Sequence, residues 1–164
     1  MAKNKEEKTN VMRVLEQKKI AYTAHTYPHE EGVAVDGVTV AKSTGFDPAI
    51  VFKTLVARGA SKQYYVFDVP VAENLDLKKA AKAVGEKSIE MIHQKELLPL
   101  TGYVHGGCSP VGMKKLFPTV FHSSAENLAA MIVSAGKIGY QVELAPHDLA
   151  ALVRAKFALS LIHI

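Results

Sequence analysis

Two features of the sequence stand apart from ordinary packing. The first is the run Tyr103-Val104-His105-Gly106-Gly107-Cys108-Ser109-Pro110-Val111-Gly112. Consecutive glycines tolerate positive φ and let a backbone approach a ligand, while Pro110 fixes its own φ and biases Ser109 towards extended geometry. Backbone N–H groups of Gly106 to Ser109 held in one direction would bind an anion, either a phosphate or the oxyanion of a carbonyl under attack. The competing reading is a strand-to-turn connection whose glycines only make the corner. The second feature is Lys53, inside Ile50-Val51-Phe52-Lys53-Thr54-Leu55-Val56-Ala57. At a period of two both faces of this strand are apolar, and an amine is seldom buried there unless it is paired or used. Its competing reading is an edge lysine whose stem packs and whose head reaches water.

Other chemistries find less support. No two acids sit near a glycine or strand-end signal, so paired carboxylates for acid and base work are not evident, and Walker and dinucleotide fingerprints are absent. His105 and Cys108 have a plausible ligand spacing, but no second pair completes a tetrahedral set, so no metal is expected. Cys108 as a nucleophile would need a histidine partner, with His105 or His122 the candidates; a small apolar filler is the simpler role. No cofactor is implied.

The elements that must position these residues follow from periodicity and punctuation. Val11, Met12 and Leu15, with Ile20 just beyond, recur at helical spacing and mark an amphipathic helix from Asn4 to Lys19. A strand from Ala21 ends at Tyr27-Pro28, a loop opens at Glu30-Glu31-Gly32, and a short helix over Val35 to Thr44 is closed by Gly45. The Lys53 strand, Pro48 to Arg58, turns through Gly59-Ala60-Ser61-Lys62 into a second strand from Gln63 to Pro70. Asn74-Leu75-Asp76 caps a helix over Leu77 to Val84, stopped by Gly85. Glu90 to Ile92 is a short strand, Glu96 to Leu100 a turn, and Gly102 to His105 a strand feeding the glycine run. Pro118 to His122, Ala129 to Val133 and Tyr140 to Leu144 are further strands, the last two joined by a turn from Ser134 to Gly139. A final helix starts at Pro146 and reaches about Phe157, leaving an apolar tail from Ala158 that the pattern does not explain.

The whole chain sets the bounds. Its 164 residues suit one domain, 1–164, with a core of its own, and a single cysteine excludes a disulfide framework. The formal charge of +4, from 20 basic and 16 acidic residues, permits nucleic acid without demanding it. Lys114, Lys115 and Lys137 gather near the glycine turns, although a solvated face would explain them equally. The charged start argues against a signal peptide, and no stretch has the length of a membrane span, so a cytoplasmic protein without membrane contact is expected. The expected fold class is α+β: one curved, mixed, mainly antiparallel and barrel-like sheet surrounded by helices.

Taken together, Phe52-Lys53-Thr54-Leu55, Leu75-Asp76-Leu77-Lys78-Lys79, Gly102-Tyr103 with Gly106-Gly107 and Ser109-Pro110, and Ser134 with Gly136-Lys137 and Gly139 resemble the YbaK family of aminoacyl-tRNA deacylases. The resemblance runs from His25-Thr26-Tyr27 to about Phe157, with the motifs in the family's order. It implies the family's editing-domain fold and the removal of cysteine mischarged on proline tRNA, with cysteinyl-tRNA(Cys) as a further candidate substrate, beside prolyl-tRNA synthetase; related editing domains remove alanine. It places the essential lysine at Lys53, the glycine loop at Gly106, Gly107, Ser109 and Pro110, the pocket tyrosine at Tyr27, and further substrate contacts at Ser134, Gly136 and Gln141. Where the family often has aspartate this chain has Gln141. The implied partner is the 3′ end of an aminoacylated tRNA, and in the family's proposed route the substrate's own thiolate attacks its ester carbonyl. A deacylase for another small amino acid, such as alanine on proline tRNA, and a non-catalytic tRNA or nucleotide-binding module are the alternatives.

Overall fold

The structure is a computed structural model that describes residues 8–159 and 161–163. The first helix, α1, is Asn10–Gln17; the earlier residues assigned to it from Asn4 onwards lie outside the described residues as far as residue 7. The Thr9 hydroxyl accepts from the Met12 N–H at 3.3 Å, which satisfies one donor of the first turn. Val11, Met12 and Leu15 are buried on the inner face, at about 1.5–3 kcal/mol for each large apolar side chain removed from water. Strand β1 is Thr23–Thr26, and α2 is Gly37–Thr44, capped by Asp36 and closed by Gly45 at φ 82°.

The long hairpin is β2, Phe52–Gly59, with β3, Tyr64–Pro70, in a register that sets Lys53 opposite Val69 and Thr54 opposite Asp68. Helix α3, Leu77–Val84, follows with Asp76 accepting from the N–H groups of Lys78 and Lys79 at 2.9 and 3.0 Å. Then come β4, Ile89–Met91; α4, Gln94–Thr101; β5, Thr119–His122; β6, Met131–Ser134; β7, Tyr140–Leu144; α5, Pro146–Val153; and β8, Lys156–Ala158.

The fold is α+β, but the strands form two open sheets and not the one curved sheet expected. The smaller has the order β1-β7-β6, antiparallel throughout; the larger has the order β4-β2-β3-β5-β8, in which β5 runs parallel to both neighbours. Asp47 caps a turn of 3-10 helix over Pro48–Ile50, where a strand was expected, so β2 begins only at Phe52, and an isolated bridge from Val51 to Ile132 of β6 links the two sheets. Phe52, Val56, Val66 and Phe121 face Val133, Val142 and Leu144 across the main core, which α1 and α5 close. On the far face of the larger sheet, Phe67 and Val69 pack against Ala80 and Ala81 of α3.

Three other expectations are corrected. Glu96 to Leu100 is not a turn but the body of α4, whose start is fixed by the His93 N–H donating to the Glu96 carboxylate at 3.0 Å. Gly102 ends that helix at φ 89°, so the glycine run is entered from a helix and not from a strand. Helix α5 stops at Val153, Arg154 takes a left-handed conformation, and Phe157 belongs to β8. The tail also finds its place: Leu161 is fully buried, its carbonyl accepts from the Asp76 N–H at 2.7 Å, and Ile162 bridges to Leu75.

Candidate functional site

A cavity of about 510 Å³ opens between the two sheets. Its walls come from the start of β2 (Phe52 to Leu55), from Tyr27 just beyond β1 and the start of β7, and from the segment Ala34 to Gly37 that leads into α2. Of the residues picked out in the sequence, Tyr27, Lys53, Gly106, Ser134 and Gln141 line it, scattered over more than a hundred positions of chain.

Lys53 is half-buried, and burial lowers its pKa while the charges of Asp36 and Glu73 oppose that shift. Its ammonium has no hydrogen bond or ion pair among the described residues. A charged amine held partly out of water without a partner is available to an anion entering the cavity.

The glycine run enters at Gly106, φ 89°, where a Cβ would stand 2.7 Å from the Ala34 side chain. The Gly107 N–H donates to the Val104 carbonyl at 3.0 Å and is spent on the turn, whereas the amides of Gly106, Cys108 and Ser109 donate to nothing among the described residues. The uniform row of free amides expected over Gly106 to Ser109 is thus interrupted. A Cβ on Gly107 would lie 3.0 Å from the Ile138 amide nitrogen, so the two glycine turns meet backbone to backbone. Tyr103 locks the arrangement: its hydroxyl donates to the Val111 carbonyl at 2.5 Å, and its ring fills the space over Gly136, φ 92°. Gly107, Ser109 and Gly136 therefore stand behind the cavity wall as supports, and the Ser109 hydroxyl accepts from the Val111 N–H at 3.2 Å. Pro110 lines a separate hollow of about 150 Å³ beside α5.

On the opposite wall the Tyr27 N–H donates to the Gly139 carbonyl at 3.0 Å, and the Ser134 hydroxyl accepts from the Gly136 N–H at 3.1 Å. Gln141 lies between His25 of β1 and Ser134 of β6; it is 7% exposed, and its Oε1 has no partner among the described residues.

Cys108 also reaches the cavity wall, but burial, reinforced by the charge of Asp68, pushes its thiol up to about 12. Such a thiol is held protonated at neutral pH and is no nucleophile.

Two residues escaped the sequence reading. Asp68 is fully buried on β3, where the Thr54 hydroxyl donates to its Oδ1 at 2.5 Å and Oδ2 has no partner among the described residues. Burial raises its pKa to about 7, with the Thr54 bond opposing. The signal was present as a lone acid in Tyr64-Tyr65-Val66-Phe67-Asp68-Val69-Pro70. Asp36 is the other: the sequence places it inside a short helix over Val35 to Thr44, and the fold shows that it caps α2 and lines the cavity.

Comparison with known proteins gives the arrangement its context. The aminoacyl-tRNA editing domain family matches residues 32–152. A protein of Enterococcus faecalis named "Putative Cys-tRNA(Pro)/Cys-tRNA(Cys) deacylase EbsC" is 46% identical over 159 residues, 96% of each chain. The solved structure of "a putative trans-editing enzyme for prolyl tRNA synthetase" has the same fold, with a TM-score of 0.78 at 24% identity over 94% of this chain and 95% of that one. A hypothetical protein, APE2540, superposes with a TM-score of 0.81 at 17% identity, covering 93% and 99% of the two chains. The family match spans most of the chain, and the sequence relative spans nearly all of it, so this chain belongs to the aminoacyl-tRNA editing domain family, as its YbaK-like motifs imply.

Proposed function

We propose that this protein is a trans-editing deacylase that clears cysteine from mischarged proline tRNA in the cytoplasm, acting across the single domain 1–164 and beside a prolyl-tRNA synthetase. The observation that carries the reading is the ammonium of Lys53, without a hydrogen bond or ion pair among the described residues, in a cavity bordered by Gly106 whose one thiol, Cys108, is held protonated by burial. An ester-cleaving site must stabilise negative charge that develops on the carbonyl oxygen, and a cation with free backbone amides does this without a catalytic triad. The named relative supports the substrate, and the family supports the reaction type.

The nucleophile then comes from the substrate. The cysteine sulfur attacks its own ester carbonyl, a C–S bond forms, and the C–O bond to the terminal ribose breaks. The proton lost by the thiol ends on the ribose oxygen, and the thiolactone released is opened by water to free cysteine. A thiol with pKa about 8.5 is a few per cent ionised at neutral pH, whereas a serine hydroxyl is scarcely ionised.

The test is a panel of tRNA esters treated with purified protein. Rapid loss of cysteine, very slow loss of serine and protection by prior alkylation of the thiol are expected. Comparable rates for all three would replace self-attack with an activated water, because apolar walls alone separate such close analogues by only about 10- to 200-fold. Preferential loss of alanine would move the substrate to alanine on proline tRNA. Binding of tRNA without loss of any amino acid would leave a non-catalytic module.

A further inference from the structure

An aminoacyl ester brings a second polar group into the cavity besides its carbonyl. Its α-amino group is a hydrogen-bond donor in either protonation state and a cation when protonated. Lys53 repels that cation, so a site that accepts it needs an anion or a free acceptor close by. Among the described residues lining the cavity, Asp36 is the single carboxylate.

Its two oxygens have different tasks. Oδ2 accepts from the Thr39 N–H at 3.2 Å and from the Thr39 hydroxyl at 3.3 Å, which holds the carboxylate in place at the start of α2. Oδ1 accepts nothing among the described residues. Asp36 is exposed at the rim, where substrate enters, and its charge is felt by Lys53. An independent observation in the same lining points the same way. Gln141 lines the cavity, and its buried Oε1 has no partner among the described residues, so it is an acceptor without a donor. A cation on one side, with a carboxylate and a free carbonyl oxygen elsewhere in the same cavity, matches the charge pattern of an aminoacyl ester.

We propose that Asp36 is a specificity residue that anchors the α-amino group of the aminoacyl ester through Oδ1, with Gln141 Oε1 as the second acceptor. The inference rests on the deacylase reading and deepens it: the substrate class narrows to tRNAs carrying a free α-amino group. Formylated, acetylated and peptidyl esters, which have lost the charge and gained bulk, are rejected.

The test compares two esters of the same size, cysteinyl-tRNA and tRNA charged with 3-mercaptolactate, in which a hydroxyl replaces the amino group. Both retain the thiol and therefore the capacity for self-attack. The wild-type ratio of kcat/KM should favour the amino ester by roughly 10-fold, because ammonium and hydroxyl can both donate to Oδ1 but only the ammonium adds an opposite charge. Asp36→Asn caps a helix as well as aspartate does but has no charge, and it should bring the ratio close to 1. Asp36→Ser, a second capping variant, should do the same, with thermal unfolding confirming that both are folded. A ratio that survives in both variants overturns the assignment, and so does a parallel loss on both esters, which would mean that Asp36 acts through the charge state of Lys53. A wild-type ratio near 1 also overturns it. Failure of the wild-type protein to cleave either ester is a different result: it removes the deacylase reading, and the α-amino subsite with it.

Discussion

At the scale of single residues, the unusual feature of this molecule is the number of polar groups left without protein partners around one cavity. Lys53, Asp36 and Gln141 line it, with Asp36 Oδ1 and Gln141 Oε1 lacking partners among the described residues, and Asp68 stands behind Thr54. Asp68 has a consequence for stability. Its folded pKa, about 7, lies above its ordinary value of 3.8, so between these values the folded state holds a proton that the unfolded chain has released. Stability therefore falls as pH rises through that window and levels off above about pH 7. Asp68→Asn removes the titration. Its stability relative to wild type should rise from pH 4 to pH 7 by up to a few kcal/mol and then hold constant, as measured by urea unfolding across pH. A difference independent of pH would mean that Asp68 is not desolvated. Cys108 makes the complementary case: with its thiol pushed up to about 12, Cys108→Ala should remain active, and a folded but inactive variant would restore the nucleophile.

At the scale of elements, the glycine turns and the C-terminal tail are the parts whose roles differ most from their appearance in the sequence. Gly106 needs its φ of 89° and Gly107 abuts the Ile138 backbone, so valine at either should cripple turnover. Ser109→Ala removes only the hydroxyl that accepts from Val111 and should be milder. The opposite order in a deacylation assay would assign Ser109 a direct role. Leu161 fills the layer under α3, and Leu161→Ala should cost roughly 2–5 kcal/mol by chemical denaturation. A loss under 1 kcal/mol would mean that the tail is not docked. What could be read in advance follows the strength of local signals. Helix α3 was legible to the residue because Asp76 and Gly85 mark both ends. Helix α4 was hidden by Pro99 within it, and β8 by the apolar continuity of α5 with the tail. Lys53 was visible as a charge in an apolar strand. Asp36 was not, because an acid at the start of a short helix looks the same whether or not a cavity lies beside it.

At the scale of the whole molecule, function depends on what the two sheets enclose together. Lys53 arrives on the larger sheet, Ser134 and Gln141 on the smaller, and Tyr27 just beyond β1, while α1 and α5 pack around the shared core. No local motif spans that separation, which explains why the sequence showed the parts of the site more clearly than their arrangement. Because the strand around Lys53 is apolar, removing the amine should leave the fold intact and even relieve an unpaired, partly buried charge. The central claim is that this amine serves ester cleavage. Its most direct test is the rate of cysteine release from mischarged proline tRNA by wild-type protein and by Lys53→Ala, measured together with their unfolding temperatures. The expected result is a loss of about 100-fold or more in rate with the unfolding temperature held or raised, as for removal of one charge-stabilising group from a preorganised site. A folded Lys53→Ala protein that deacylates within about threefold of wild type would contradict the claim.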